Sequence, residues 1–450
     1  MIRINVKEFL MKYFRLFIVF VAALLTMTGT SFGGYDYIDI NSPSIRKMPI
    51  AVPLFKSGTG TLKNGDMQLP KKASDMLSGM LDFTGYFKIL DRESFLENLL
   101  KPETTLQTVD FRNWTTVGAE LLVTGTIQAN GNDLEIEMRL FDTVKANQLV
   151  GKKYKGGVND LRHILRLFAS EIVFCLTGNR GVFDTRIAFV STGSGKKEIY
   201  ICDFDGTNVR QFTKNNSITL FPAWSSDGQW IAYTSYLKGN PDLYIKNVSN
   251  NSISVVSKKG INITPSWMPG KFELAATLSF SGDQDIYLMT GTGKIIKKLT
   301  NSTGSDVSPT FSPDGKKMAF VSSRSGTPQI YIQDISTGNE QRLTFNGRYN
   351  TQPCWSPKGN KIVYSGLDGG KHNIFIIALD GKDPVQLTHN EGDNESPFWS
   401  PDGSLIVFSS TREGPSRIYV MTSYGTDQKR LFSISGEQSN PKWSPGLFNK

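Results

Sequence analysis

At 450 residues the chain is longer than one ordinary domain, and its 39% hydrophobic and 20% charged residues are the composition of a globular protein, not of a disordered one. The formal net charge of +9 is spread without a basic run, which excludes a nucleic-acid-binding signature. Cys175, Cys202 and Cys354 are an odd count with neither metal-ligand nor disulfide-framework spacing, so all three read as small buried apolar side chains.

Residues 1–33 read as an export signal. The ten-residue apolar core Leu16–Leu25 follows Arg3, Lys7, Lys12 and Arg15 and is too short to span a bilayer, which takes about 20 residues. Small residues follow, and Ser31-Phe32-Gly33 suits cleavage near Gly33; Thr28-Gly29-Thr30 is a second fit and Met11 an alternative start. No cysteine follows the core, so no lipid attachment is expected there.

Residues 34–180 read as a small α/β domain. Tyr35-Asp36-Tyr37-Ile38-Asp39-Ile40 alternates acidic and apolar residues, as an edge strand or extended arm would. Strands are expected over 47–55, 87–90, 121–127, 134–141 and 148–154. Met76, Leu77, Met80 and Leu81 have helical spacing. Asp91 is placed to cap a helix through Phe95, Leu96, Leu99 and Leu100, a short helix fits 111–118, and Asn159 or Asp160 starts a last helix that ends at Gly178.

From residue 181 onward one phrase governs the chain. Pro397-Phe398-Trp399-Ser400-Pro401-Asp402-Gly403 recurs from leading prolines at 222, 265, 309, 353 and 441, a period of 44 with one step of 43. A period in the 40s marks propeller blades. Each unit reads as four short strands: Trp-Ser ends the first, Pro-Asp-Gly turns the chain, Ile406–Phe408 lies in the second, Ile418–Met421 forms the third, and phrases such as Gln386-Leu387-Thr388 close the fourth. The missing residue falls in the loop 257–264, where length is tolerated. The last copy stops after its first strand and the first copy, from Arg186, lacks one, so joining them gives six blades over residues 181–450 and closes the ring.

The chain offers little to a catalytic reading. No Gly-x-Ser-x-Gly phrase occurs, and His163, His372 and His389 fall in unrelated elements, so no catalytic residue is assigned. Thr192–Lys197 fails the phosphate-loop pattern and sits at a hairpin turn. The loops before the leading prolines ring one mouth of the channel. Asp306, Asp393, Glu395 and Glu437 make it partly acidic, but solvated loop polarity or a docked protein outweighs a cation there; no metal and no cofactor is expected.

An export signal, a small α/β domain, six repeats of this type and the ending Pro441-Lys-Trp-Ser-Pro-Gly-Leu447 together resemble the TolB family, the periplasmic propeller proteins of the Tol–Pal system. Met268-Pro269-Gly270 shortens one turn and Lys358 replaces a turn aspartate, so the match is not complete. The resemblance implies a two-domain α+β/all-β fold: an N-terminal α/β domain and a six-bladed β-propeller of WD40-like repeats. It implies a non-enzymatic periplasmic scaffold for outer-membrane integrity and cell division, reaching membranes only through its partners. The peptidoglycan-associated lipoprotein Pal would meet the mouth at Thr219, Asn262, Asp306, Asn350, Asn394 and Asn440. TolA would meet Tyr35, Asp36, Tyr37, Ile38, Asp39 and Ile40, and other outer-membrane or periplasmic proteins could join. The alternatives are an exported propeller that binds peptidoglycan or another polymer, with Phe221 and Tyr349 as its aromatic residues, and a peptidase-associated propeller.

Overall fold

A computed structural model describes residues 46–58, 68–95, 105–389 and 391–446. The expected export signal and the stretch Tyr35–Ile40 lie outside the described residues.

The first domain is a sheet ordered β3 (Phe87–Ile89), β1 (Met48–Ala51), β4 (Leu121–Asn130), β5 (Asp133–Asp142), β6 (Asn147–Gly157), with β2 (Lys56–Ser57) beside β4. β1 runs parallel to β3 and β4, whereas β4, β5 and β6 form an antiparallel meander. Strand alternation decides what each face holds. Leu121, Val123 and Ile127 of β4 pack under α1 (Leu69–Phe83) and α3 (Leu161–Thr177), while Leu122 packs with Trp114 of the short α2 (Phe111–Thr116) on the other face. The helix ends are set locally. The Asp110 carboxylate accepts from the N–H groups of Arg112 and Asn113 at the start of α2, and Gly178, at φ +76°, ends α3. Of the helix expected after Asp91, the described residues show the single turn Arg92–Ser94, followed by Phe95 extended at ψ 141°; Leu96, Leu99 and Leu100 lie outside the described residues.

Six four-stranded antiparallel sheets follow. Five are built from consecutive strands, and the sixth pairs the last strand, Gln438–Trp443, with Arg186–Ser191. The repeated phrases have specific uses. In the turn phrase the Ser400 hydroxyl donates to the Asp402 carboxylate (2.6 Å) and accepts from Leu405 N–H (2.9 Å), and Ser312 with Asp314 and Ser225 with Asp227 do the same. Gly403 takes φ +72°, which its lack of a Cβ permits. Where Lys358 replaces aspartate, the Ser356 hydroxyl loses this acceptor and only the Lys358 N–H meets it (3.2 Å).

The Leu-Thr phrase is a latch beyond the fourth strand. The Thr hydroxyl accepts the N–H of an isoleucine in the first half of the third strand: Ile286 to Thr300 (3.0 Å), Ile330 to Thr344 (2.9 Å) and Ile374 to Thr388 (2.9 Å). The fourth strands themselves are short, two to four residues, so the bond holds a weak edge in place.

Cysteine usage departs from expectation at one position. Cys202 and Cys354 are buried, but Cys175 is exposed on the solvent side of α3. Burial pushes the Cys354 thiol up to about 11 and that of Cys202 well above the ordinary range, so neither is a thiolate near neutral pH. A thiol reagent near neutral pH is therefore expected to titrate one thiol in the native protein and three after denaturation. A second fast-reacting thiol in the native state would contradict this burial.

The two domains share one core. Phe204, in a turn of the closing blade, lies edge-on to Phe83 of α1 (5.3 Å between centroids) and to Phe183 of the linker (5.4 Å). Leu405, Val407, Ile418 and Val420 of the last blade belong to the same buried cluster. Ion pairs surround it: Arg162–Asp205 (2.6 Å), Lys47–Asp427 (2.9 Å) and Lys429–Asp82 (3.2 Å).

Candidate partner-binding mouth

Antiparallel blades put the turns between strands one and two, and between three and four, at one end of the channel. The loops between strands two and three, and between blades, stand at the other end. The first domain packs on turns of the first kind: Phe204 and Asp205 in one blade, Asp427 and Lys429 in another. The described residues of the first domain thus leave uncovered the mouth ringed by the pre-proline loops.

Innermost strands begin at Thr219, Asn262, Asp306, Asn350, Asn394 and Gln438. Five of the expected contact residues therefore share one ring. The sixth does not: 44 residues beyond Asn394 stands Gln438, and Asn440 belongs to a second ring, two residues further in, with Phe221, Thr264, Ser308, Gln352 and Ser396. The signal that locates Gln438 is the period itself.

The first ring is buried, with none of its members more than 2% exposed. Their side chains are spent on shaping the loops. Asn262 donates to the carbonyls of Lys258 (2.8 Å) and Pro241 (3.1 Å). Asn350 donates to Gln329 (2.9 Å) and to the Asn346 carbonyl (2.8 Å). Asp306 accepts from Ser302 (3.0 Å) and pairs with Arg324 (3.0 Å), so its charge is neutralised inside the blade. Asn394 accepts from Arg412 (3.1 Å). Thr219 meets Ser235 (3.3 Å). These residues hold the mouth open in one shape instead of offering their side chains at its surface.

Every member of the second ring has a left-handed backbone, φ between +49° and +56°, at a break in the pairing of strands one and two. The conformation costs roughly 1–2 kcal/mol per non-glycine residue. Bonds between neighbouring blades offset it: Thr264 accepts from Ser308 N–H (3.3 Å), Gln352 from Ser396 N–H (2.7 Å), and Asn440 donates to Ser396 (3.0 Å).

The mouth exposes apolar side chains beside charged ones such as Asp393, Glu395 and Glu437. Ile218, Leu237, Phe280, Phe345 and Tyr349 are exposed on its loops, and Phe345 is 67% exposed. Beside them the blade that begins at Asn350 carries a longer hairpin, Lys361–Asp368 with Lys371–Ala378, whose His372 stands 3.5 Å from Asp393 and 4.0 Å from Glu395. Apart from Tyr349, weighed in the sequence as an aromatic contact for a polymer, these apolar residues lie outside the repeated phrase and were not singled out. Among the described residues no group of three or more His, Cys, Asp or Glu side chains is disposed to hold a metal ion, and no histidine ring is hydrogen-bonded to a serine or cysteine.

Fold and mouth define a class: an α/β domain fused through a common core to a closed six-bladed propeller whose far face is open to other molecules. Residues 174–447 match the TolB beta propeller domain and residues 36–149 the TolB amino-terminal domain. The chain belongs to the TolB family. A Tol-Pal system protein TolB of Desulfosudis oleivorans is 53% identical over 284 residues, 63% of this chain and 64% of that one. A TolB homolog of Chlorobium chlorochromatii is 43% identical over 269 residues, 60% of each chain. The matched stretch thus takes in less than two thirds of either relative. The crystal structure of TolB from Acinetobacter baumannii superposes with a TM-score of 0.78 at 27% identity, covering 89% of this chain and 97% of that one. Among the described residues no helix is long and apolar enough to cross a membrane.

Proposed function

We propose that the protein is a non-enzymatic periplasmic scaffold of the Tol–Pal system, which docks the lipoprotein Pal on the free mouth and TolA on Tyr35–Ile40. The observation that carries the first half is the concentration of exposed apolar side chains, Phe345 and Tyr349 foremost, on the one channel face the α/β domain leaves uncovered. Aromatic side chains at a surface are the usual anchors of protein interfaces. Thr219, Asn262, Asp306, Asn350 and Asn394 act by fixing the loops that carry these anchors, and Asn440 lines the channel beneath. The second half rests on sequence: alternating Tyr-Asp-Tyr-Ile-Asp-Ile suits the addition of a strand to a partner's sheet edge.

Calorimetry of the chain from residue 34 with Pal of the same organism tests the first half. The double substitution Phe345→Ala, Tyr349→Ala is expected to weaken binding about tenfold or more, since anchors of this kind cost over 1 kcal/mol each on truncation. Unchanged affinity would move the site, and no binding by folded protein would remove Pal as partner. Binding to isolated peptidoglycan without Pal would favour a polymer-binding propeller. Deleting residues 35–40 should abolish TolA binding and leave Pal binding intact.

A further inference from the structure

The channel has a second compartment. Behind the ring of left-handed residues, where a cavity of about 60 Å³ remains, the channel widens at its turn end into a cavity of about 370 Å³. Prolines and aromatic rings make most of its wall. One position is out of keeping. The residue after each leading proline is Ala223, Ser266, Thr310, Cys354 and Phe398 in five blades, but Lys442 in the closing blade. Among the described residues, Lys442 is the one charged side chain bordering either cavity.

Its ammonium lies over the Phe398 ring, 4.7 Å from the centroid, and among the described residues no carboxylate comes within 4.0 Å of it. Burial pushes its pKa down, the mark of a charge without a counter-ion. Two indoles on the same side of the channel are also short of partners. Trp224 and Trp267 donate their Nε1–H to carbonyls of the preceding blades (3.1 Å each), and Trp443 donates to Thr185 (2.6 Å). Trp355 and Trp399, each 5% exposed, have no acceptor for theirs. They belong to the two blades that precede Lys442 around the ring. Three consecutive blades thus border the cavity, the closing one with an unpaired ammonium and the two before it with indole rings whose N–H groups are buried behind the wall.

We propose that this cavity is a binding site for a small organic carboxylate, with Lys442 as its counter-ion and the indole rings of Trp355 and Trp399 as part of its apolar wall. The wall dictates the rest of the ligand: an apolar, flat body packed between prolines and rings. A single lysine is a point charge that matches one carboxylate, whereas a phosphate dianion would leave most of its oxygens against apolar wall. A metal ion finds no carboxylate in the lining. The site is at the opposite end of the channel from the free mouth, and the inference stands apart from the reading of Pal and TolA.

The probe is 3-phenylpropionate, with 3-phenylpropanol as its uncharged counterpart, added to the whole chain carrying ¹⁵N-labelled tryptophan. The acid is expected to bind at least about tenfold more tightly than the alcohol, the effect of one charge-assisted hydrogen bond, and to shift the indole resonances of Trp355 and Trp399. Lys442→Met should erase the preference for the acid, and Lys442→Arg should keep it. Lys442→Gln, which keeps a polar side chain and removes the charge, should erase the preference as well, and it serves equally if Lys442→Met does not fold. Equal binding of acid and alcohol, no binding of the acid at millimolar concentration, or an acid preference that survives Lys442→Met or Lys442→Gln would overturn the proposal.

Discussion

Deletion of residues 439–450 is expected to cost the protein its cooperative thermal transition. The deleted segment holds nearly all of the innermost strand of the closing blade, which is paired with Arg186–Ser191. Trp443 alone is 2% exposed, and truncating a buried tryptophan costs about 3–5 kcal/mol. Its indole also donates to Thr185 (2.6 Å), and Ser444 exchanges bonds with Arg186, N–H to carbonyl at 2.7 Å and hydroxyl from N–H at 2.9 Å. These losses together approach the whole stability of a typical domain, about 5–15 kcal/mol. They also leave Arg186–Ser191 as an exposed, apolar edge that invites association. Calorimetry should show the main transition lost or lowered by tens of degrees, with aggregation, and Trp443→Ala should show a smaller drop. An unchanged transition would mean that the ring does not depend on this closure.

The fold was legible because the repeat is driven by chemistry that sequence records directly. The spacing of the leading prolines, the strand residues and the Ser-Pro-Asp-Gly turn are local, and each does in the structure what its chemistry suggests. The orphan strand at each end counted the blades. The mouth was less legible, and for a physical reason. A polar residue that recurs at one place in the blades, asparagine in three of them at Asn262, Asn350 and Asn394, shapes the blade's own loop, so repetition pointed at side chains that are buried. Phe345, Tyr349 and Leu237 are exposed, and nothing in a periodic pattern selects them. Asn440 stands two residues out of register with the other five, where Gln438 holds the equivalent position. Cys175 marks the limit for burial, since a helical stretch without its partners does not say which side faces water. Lys442 was visible as a lysine after a leading proline, but its isolation is a property of five other blades.

Phe204→Ala is expected to uncouple the two domains. Phe204 is fully buried, and it belongs to neither domain's interior alone. Its ring meets Phe83 and Phe183 edge-on at interplanar angles of 81°, the geometry in which an aromatic pair adds about 0.5–1.5 kcal/mol beyond its buried area. Removing it should cost about 3–5 kcal/mol in all, because rings held by two separate domains cannot close the cavity without moving the domains together. The ion pairs nearby cannot replace it. Arg162–Asp205 is partly exposed, and pairs of that kind contribute about 1 kcal/mol or less. Two consequences follow for measurement. Wild-type protein should unfold in one calorimetric transition, since α/β domain and propeller share a core. Phe204→Ala should split it, with the smaller domain melting first and the propeller close to its original temperature. Arg162→Met should leave a single transition, lowered slightly. A single transition retained by Phe204→Ala at the wild-type temperature would show that the shared cluster is contact without coupling.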